Sequence, residues 1–93
     1  MAKSSNPAVE AEKMREMGEW LDAVLAELGL EAGVLEQLRT PMLDMIAEVA
    51  HGPSRPGAPL TAMLVGLVSD PSDVDAILAR VARVRELAAN WPG

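Results

Sequence analysis

Large apolar residues recur at helical spacing along four separate segments of the chain, and this constrains the fold more than any other feature. Such spacing places them on one face of a helix, and no segment alternates as a strand would. The four apolar sets are Met14, Met17, Leu21, Val24 and Leu28; Leu35, Leu38, Met42, Met45 and Val49; Leu60, Met63, Leu64, Leu67 and Val68; and Val74, Ile77, Val81, Val84, Ala88 and Trp91. The pattern predicts an all-α fold.

Local signals predict where these helices begin and end. Asn6-Pro7 is typical of a capping residue followed by proline in the first turn, and Gly29 is typical of a helix stop. Gly18 weakens the first helix, so we expect order from about Glu19. The second helix is expected to begin near residues 31–34. Asp70-Pro71-Ser72-Asp73 predicts the start of the fourth helix, with Asp70 as its cap.

Prolines divide the middle of the chain. The second apolar set runs straight across Pro41, which predicts a helix kinked or broken there, with Thr40 capping the second part if it breaks. Residues 52–59 hold three prolines in eight positions and cannot be helical, so we call them the elbow. Pro59 is expected to open a short third helix, which is apolar around much of its girth and therefore expected to be the most buried.

Short connections favour antiparallel neighbours. The sequence therefore predicts a small four-helix up-and-down bundle with a proline-kinked second helix and a Pro/Gly-rich elbow. The apolar stripes should close against one another and bring the elbow and the end of the last helix to one pole. The predicted parts are an N-terminal tail and helical extension over 1–17, with 1–6 disordered, a bundle over 18–91 and a C-terminal end over 92–93.

Composition and charge exclude several classes of function. There are no cysteines and one histidine, so disulfides, thiolate sites and zinc sites are not expected. Residues 1–51 hold ten Asp/Glu against four Lys/Arg, and the rest of the chain holds four of each. This acidic balance disfavours binding to nucleic acid. No stretch resembles a signal peptide or approaches bilayer length, so we expect a cytoplasmic protein that is not membrane-bound.

The elbow holds the first candidate site residues. His51 stands where the second helix ends, and a cation is favoured there by the helix dipole. It is interpreted as a cap or packing residue, since no nucleophile accompanies it in a catalytic arrangement. Arg55 lies between prolines, where it could bind a phosphate or carboxylate, or tie the loop to an acid such as Asp22 or Glu48.

The other candidates are the two tryptophans and the charged helix faces. Trp20 and Trp91 are interpreted as partly buried packing residues, with a cation pocket as the alternative. Arg80, Arg83 and Arg85 form a basic patch that is either solvated, paired with the acidic first helix, or a phosphate site. Glu10, Glu12, Glu16 and Glu19 have the spacing of an ordinary solvent-exposed helix face, so no metal or cofactor is expected.

Several short motifs resemble a known family. They are Glu19-Trp20-Leu21, Leu28-Gly29-Leu30, Val49-Ala50-His51-Gly52, Arg55-Pro56, Ala58-Pro59-Leu60-Thr61 and Gly66-Leu67. Over residues 18–91 the chain resembles a small bacterial all-helical domain of unknown function. That domain occurs alone or fused to nucleotidyltransferases of the molybdenum-cofactor guanylyltransferase type. Gly57 stands where the family more often has alanine. The resemblance implies a setting in molybdenum-cofactor biosynthesis and no particular reaction.

Two functions are compatible with these features. The first is a non-enzymatic protein-interaction or accessory module that acts with a nucleotidyltransferase or molybdoenzyme-maturation protein, or as a homo-oligomer, through the elbow pole. The second is a small-molecule binder that holds an anionic, phosphate-bearing ligand at His51 and Arg55. A catalytic site would require activity that is lost on His51→Ala while folding is retained. We expect no enzyme activity.

Overall fold

The computed structural model describes residues 6–92, in which four α-helices and no strand are found. The helices are α1 (Pro7–Glu27), α2 (Arg39–His51), α3 (Gly57–Leu67) and α4 (Val74–Ala89). The predicted all-α, four-helix fold is confirmed. The chain forms two compact units, Met1–Gly33 and Val34–Gly93. Residues 1–5 of the predicted disordered tail, and residue 93, lie outside the described residues.

α1 begins and ends at the residues that the sequence indicates. The Asn6 side chain accepts a hydrogen bond from the Ala8 N–H at 3.0 Å, and Pro7 occupies the first helical position. The helix runs through Gly18 without interruption, so the expectation of order only from about Glu19 is wrong. At its end Gly29 has a φ of +72°, and the Leu30 N–H donates to the Leu25 carbonyl at 2.8 Å. This is a Schellman termination.

The prediction of a proline-kinked second helix is wrong in its detail. Residues 32–38 form turns, and α2 begins at Arg39, so Pro41 is its third residue. Proline is tolerated there because the first N–H groups of a helix have no partner within it. Leu38 precedes the helix without a side-chain cap, and Thr40 lies inside the first turn. An apolar stripe that crosses a proline therefore does not require a helix on both sides.

The elbow is shorter than predicted. α3 begins at Gly57, two residues before Pro59, so Pro59 is again the third residue of its helix. The Ser54 Oγ accepts a hydrogen bond from the Gly57 N–H at 3.0 Å and satisfies one N–H of the first turn. The non-helical residues between α2 and α3 are 52–56.

α4 begins three residues later than the motif suggested. Its cap is Asp73, whose Oδ1 accepts from the Ala76 N–H at 3.0 Å, and not Asp70. The Asp70 carboxylate instead accepts from the backbone N–H of Ser72 at 2.9 Å, which lowers the pKa of Asp70. Both aspartates bond to a nearby backbone N–H, and only the second lies next to the helix.

The core of the second unit lies where α2, α3 and α4 pack on one another. Its buried members are Leu38, Met45, Val49, Ala58, Val65, Ile77 and Val81. A Cβ added at Gly52 would lie 3.9 Å from the Ala88 carbonyl oxygen, so the C-terminal ends of α2 and α4 are neighbours. α2 and α4 therefore run in the same direction. α3 follows α2 after a short loop and runs in the opposite direction.

α3 is not the most buried helix, contrary to the sequence-based expectation. It has two buried residues, Ala58 and Val65, as α2 and α4 each have. Six of its eleven residues are exposed, however, against five of thirteen in α2 and seven of sixteen in α4. Five large apolar side chains of α3 and its C-terminal cap are 59–67% exposed, and we call them the α3 face: Leu60, Met63, Leu64, Leu67 and Val68. α3 packs on the core through the side that carries Ala58 and Val65, whose short side chains allow a close approach. The stripe of large residues consequently faces outward.

Candidate functional site

A groove runs between α3 and α4 next to the α3 face. Its volume is about 870 Å³. We call it the α3/α4 groove. α3 and its cap contribute Thr61, Leu64, Val65 and Val68; the α2 end contributes Val49 and Pro53; and α4 and the residues after it contribute Arg80, Arg83, Val84, Glu86, Leu87, Ala88, Asn90 and Trp91. Apolar side chains dominate the lining, and Leu64, Val68, Leu87 and Trp91 are each more than half exposed.

The charged side chains of the groove all belong to α4. The Arg80 guanidinium donates to the Ser69 Oγ at 3.3 Å, beside the end of α3. Arg83 and Glu86 are exposed. Within residues 6–92 neither of these two takes part in an ion pair. The groove thus offers an apolar floor with both signs of charge at its rim.

The remaining arginine of the predicted basic patch faces another helix. Arg85 donates two hydrogen bonds to the Glu48 carboxylate, at 2.8 and 2.7 Å. This bidentate pair joins α4 to α2, and the hydrogen bond from Arg85 lowers the pKa of Glu48. Arg85 therefore has a structural partner on α2, while Arg80 and Arg83 line the groove. The expected pairing of this patch with the first helix does not describe Arg85.

His51 and Arg55 do not line the groove. His51 is the last residue of α2 and is exposed. Arg55 is exposed in the turn before α3, where its carbonyl accepts a hydrogen bond from the Ala58 N–H at 3.2 Å. The Glu48 carboxylate, one predicted partner of Arg55, is held by Arg85 instead.

The tryptophans lie in different units of the chain. Trp91 follows α4, is 55% exposed and lines the groove near Pro53 of the elbow. The elbow and the end of α4 thus meet at one end of the second unit, as the predicted topology required. Trp20 lies on α1 and is 67% exposed. Trp91 is therefore partly covered and contributes to the groove lining, while Trp20 is largely exposed.

The acidic face of α1 is organised around one arginine. Arg15 forms ion pairs with Glu12 and Glu19, one turn away on either side, and its pKa is raised, mainly by the hydrogen bond to Glu12. Within residues 6–92, no three acidic or histidine side chains are placed to share a metal ion. None of the helices in that range has the length and apolar character needed to span a bilayer.

The sequence analysis names Trp91, Arg80 and Arg83 but does not predict the groove, because its lining comes from α3, α4 and the end of α2. One signal was present: residues 56–69 contain no charged residue, and their large apolar side chains cover more of the helix than one packed partner can bury. An apolar floor with charges at its rim can bind a protein surface. Its lining does not include His51, the histidine of the chain.

Comparison with known proteins identifies a family but no function. No curated protein and no solved structure matches the chain. Residues 12–93 match the model of a family described as a domain of unknown function, DUF6457. The match starts within the predicted N-terminal extension over 1–17 and includes the whole second unit. It confirms the expected small domain of unknown function, and the chain belongs to the DUF6457 family.

Proposed function

We propose that the chain is a non-enzymatic protein-interaction module whose working surface is the α3/α4 groove together with the α3 face. The exposure of the α3 face is the observation that carries this proposal. Five large apolar side chains on one short helix segment stand 59–67% exposed. Contiguous apolar patches of this kind on a small protein mark interaction sites, because leaving them in water is unfavourable.

The proposed partner, in the cytoplasm, is a nucleotidyltransferase, a molybdoenzyme-maturation protein or a second copy of this chain. The enzyme partner is supported by the resemblance of the elbow motifs to those of a domain expected to occur alone or fused to such enzymes. The test is coexpression with a molybdenum-cofactor guanylyltransferase from the same genome, followed by copurification. The wild-type chain is expected to copurify, and Leu64→Asp in the groove is expected to abolish this. Arg55→Ala, outside the groove, serves as the control that leaves it unchanged.

An anionic ligand at the elbow is the second proposed function. One observation favours it: the Arg55 side chain is exposed and takes part in no ion pair within residues 6–92. Thermal unfolding in inorganic phosphate and in a nucleoside triphosphate distinguishes the two functions. A ligand site should raise the unfolding temperature of the wild type but not of Arg55→Ala. An interaction module should unfold at the same temperature with and without these anions.

A further inference from the structure

We propose that a second copy of this chain covers the α3 face and the α3/α4 groove, forming a two-fold symmetric dimer. In a two-fold interface the same patch serves on both copies, so the patch must be complementary to itself. This inference rests on the proposed interaction function and selects a second copy, among the partners proposed above, as the occupant of this surface. Both parts of the patch belong to the second unit.

The apolar part of the patch is continuous and matches the size that a dimer needs. Leu64 lies one helical turn from Leu60 and from Val68, and the groove continues the surface to Leu87 and Trp91. The five side chains of the α3 face, together with Leu87 and Trp91, make seven that are each more than half exposed. Covering them removes roughly 400 Å² of apolar surface, at roughly 100 Å² for full burial of one large side chain. Since interfaces are about 60% apolar, the footprint is about 700 Å² per copy, near the usual 800 Å².

The charges on the patch are self-complementary. Arg83 and Glu86 lie three residues apart on α4, both are exposed, and both line the groove. Neither is used in an ion pair within residues 6–92. A two-fold axis passing between them places each Arg83 against Glu86 of the other copy, and each interface then contains two such pairs. Arg85, by contrast, is already held by Glu48.

Charge reversal tests this arrangement without disturbing the core, since Arg83 and Glu86 are exposed. The measurement is the dimer dissociation constant, from light scattering of the full chain over a dilution series. We expect the wild type to rise from the 9.9 kDa monomer to twice that mass. Arg83→Glu and Glu86→Arg each place like charges across the interface, so each should weaken the dimer about tenfold or more.

Two recombinations restore opposite charges. The double variant R83E/E86R exchanges the members of both pairs and should dimerise within about threefold of the wild type, as surface ion pairs of the same kind are worth similar energies. An equimolar mixture of the two single variants should form a heterodimer, because each pair across that interface is again one arginine and one glutamate. Arg55→Glu removes an exposed arginine outside the groove and should leave dimerisation unchanged.

Several results would overturn the proposal. They are a 9.9 kDa mass at every concentration, a dimer that tolerates Arg83→Glu as well as Arg55→Glu, or failure of the double variant and of the mixture to recover. Sedimentation of a monomer with vesicles of anionic lipid would assign the same face to a lipid surface and would also overturn it. A monomer that still copurifies with a nucleotidyltransferase through Leu64 would leave the interaction function standing while removing the dimer.

Discussion

Single residues decide where the helices stop, and Gly29 shows this most directly. Its φ of +72° lies in the left-handed region, which costs a residue with a Cβ about 1 kcal/mol or more. No atom lies within 4 Å of a Cβ added there, so this backbone cost is the whole penalty. The sequence predicts this position because few residues other than glycine end a helix in this way.

We therefore expect opposite effects from two glycine substitutions. Gly29→Ala should lower the free energy of unfolding of its unit by about 1 kcal/mol. Gly66→Ala should raise the free energy of unfolding of the second unit by about 0.5–1 kcal/mol, because Gly66 lies within α3 with open space around it. Urea denaturation followed by circular dichroism measures both. Equal effects of the two substitutions would contradict the assigned backbone conformations.

Aspartates at the start of α4 show the limit of prediction at this scale. Asp70 and Asp73 both accept a hydrogen bond from a backbone N–H two or three residues ahead. The sequence motif fits either aspartate as the cap, and the prediction of Asp70 is wrong. The geometry that separates them is the path of the chain between α3 and α4, which depends on packing and not on the motif itself.

At the scale of the element, α3 is where the sequence misled most. An apolar helix with no charged residue is ordinarily buried on all sides. In this chain, packing uses only the side that carries Ala58 and Val65. The sequence cannot reveal this because both sides of α3 are apolar, and the choice between them is made by α2 and α4. The stripe of α2, with buried Met45 and Val49, was in contrast predicted correctly.

Because the large side chains of α3 face outward, substitutions in the core should cost much more unfolding free energy than substitutions in the α3 face. Met45→Ala, at a fully buried side chain, should cost about 2–5 kcal/mol of unfolding free energy. Leu64→Ala, at a side chain that is 61% exposed, should cost less than about 1 kcal/mol in dilute solution. Urea denaturation at low protein concentration measures both changes. A Leu64 cost as large as that of Met45 would place Leu64 in a core.

The ion pair between α2 and α4 predicts how stability depends on pH. Arg85 lowers the pKa of Glu48 below its ordinary value, so the folded state binds this proton less readily than the unfolded state. The stabilisation is therefore complete above the ordinary carboxyl pKa of about 4 and is lost as the pH falls below it. Asp70 acts in the same direction.

Unfolding temperatures between pH 7 and pH 2.5 test this linkage. Glu48→Gln should flatten the decline on the acidic side, because it removes one group that must be protonated. Glu36→Gln removes another carboxylate of the second unit that is exposed and serves as the control. If the unfolding temperature falls as steeply with acid in Glu48→Gln as in Glu36→Gln, the pair between Glu48 and Arg85 does not contribute to the pH dependence.

At the scale of the whole molecule, we propose that this chain works through a surface, the α3/α4 groove with the α3 face, and not through a reaction centre. The sequence predicts the four helices, both ends of α1 and the end of α2 at His51. It also predicts that the elbow and the end of α4 meet. The α3/α4 groove does not, because Leu64 and Leu87 come together only when α3 and α4 pack. The apolar pattern of one helix does not show which residues of another helix will pack against it.

The fluorescence of Trp91 tests this claim most directly, since Trp91 lines the groove and is 55% exposed. In a Trp20→Phe variant it is the sole tryptophan of the chain. As protein concentration rises, we expect its emission to shift to shorter wavelength as the groove is covered, in step with the rise in mass, and Arg83→Glu to delay both. An emission maximum that stays at the wavelength of a solvent-exposed indole while the mass doubles would contradict the assignment of this groove as the interface.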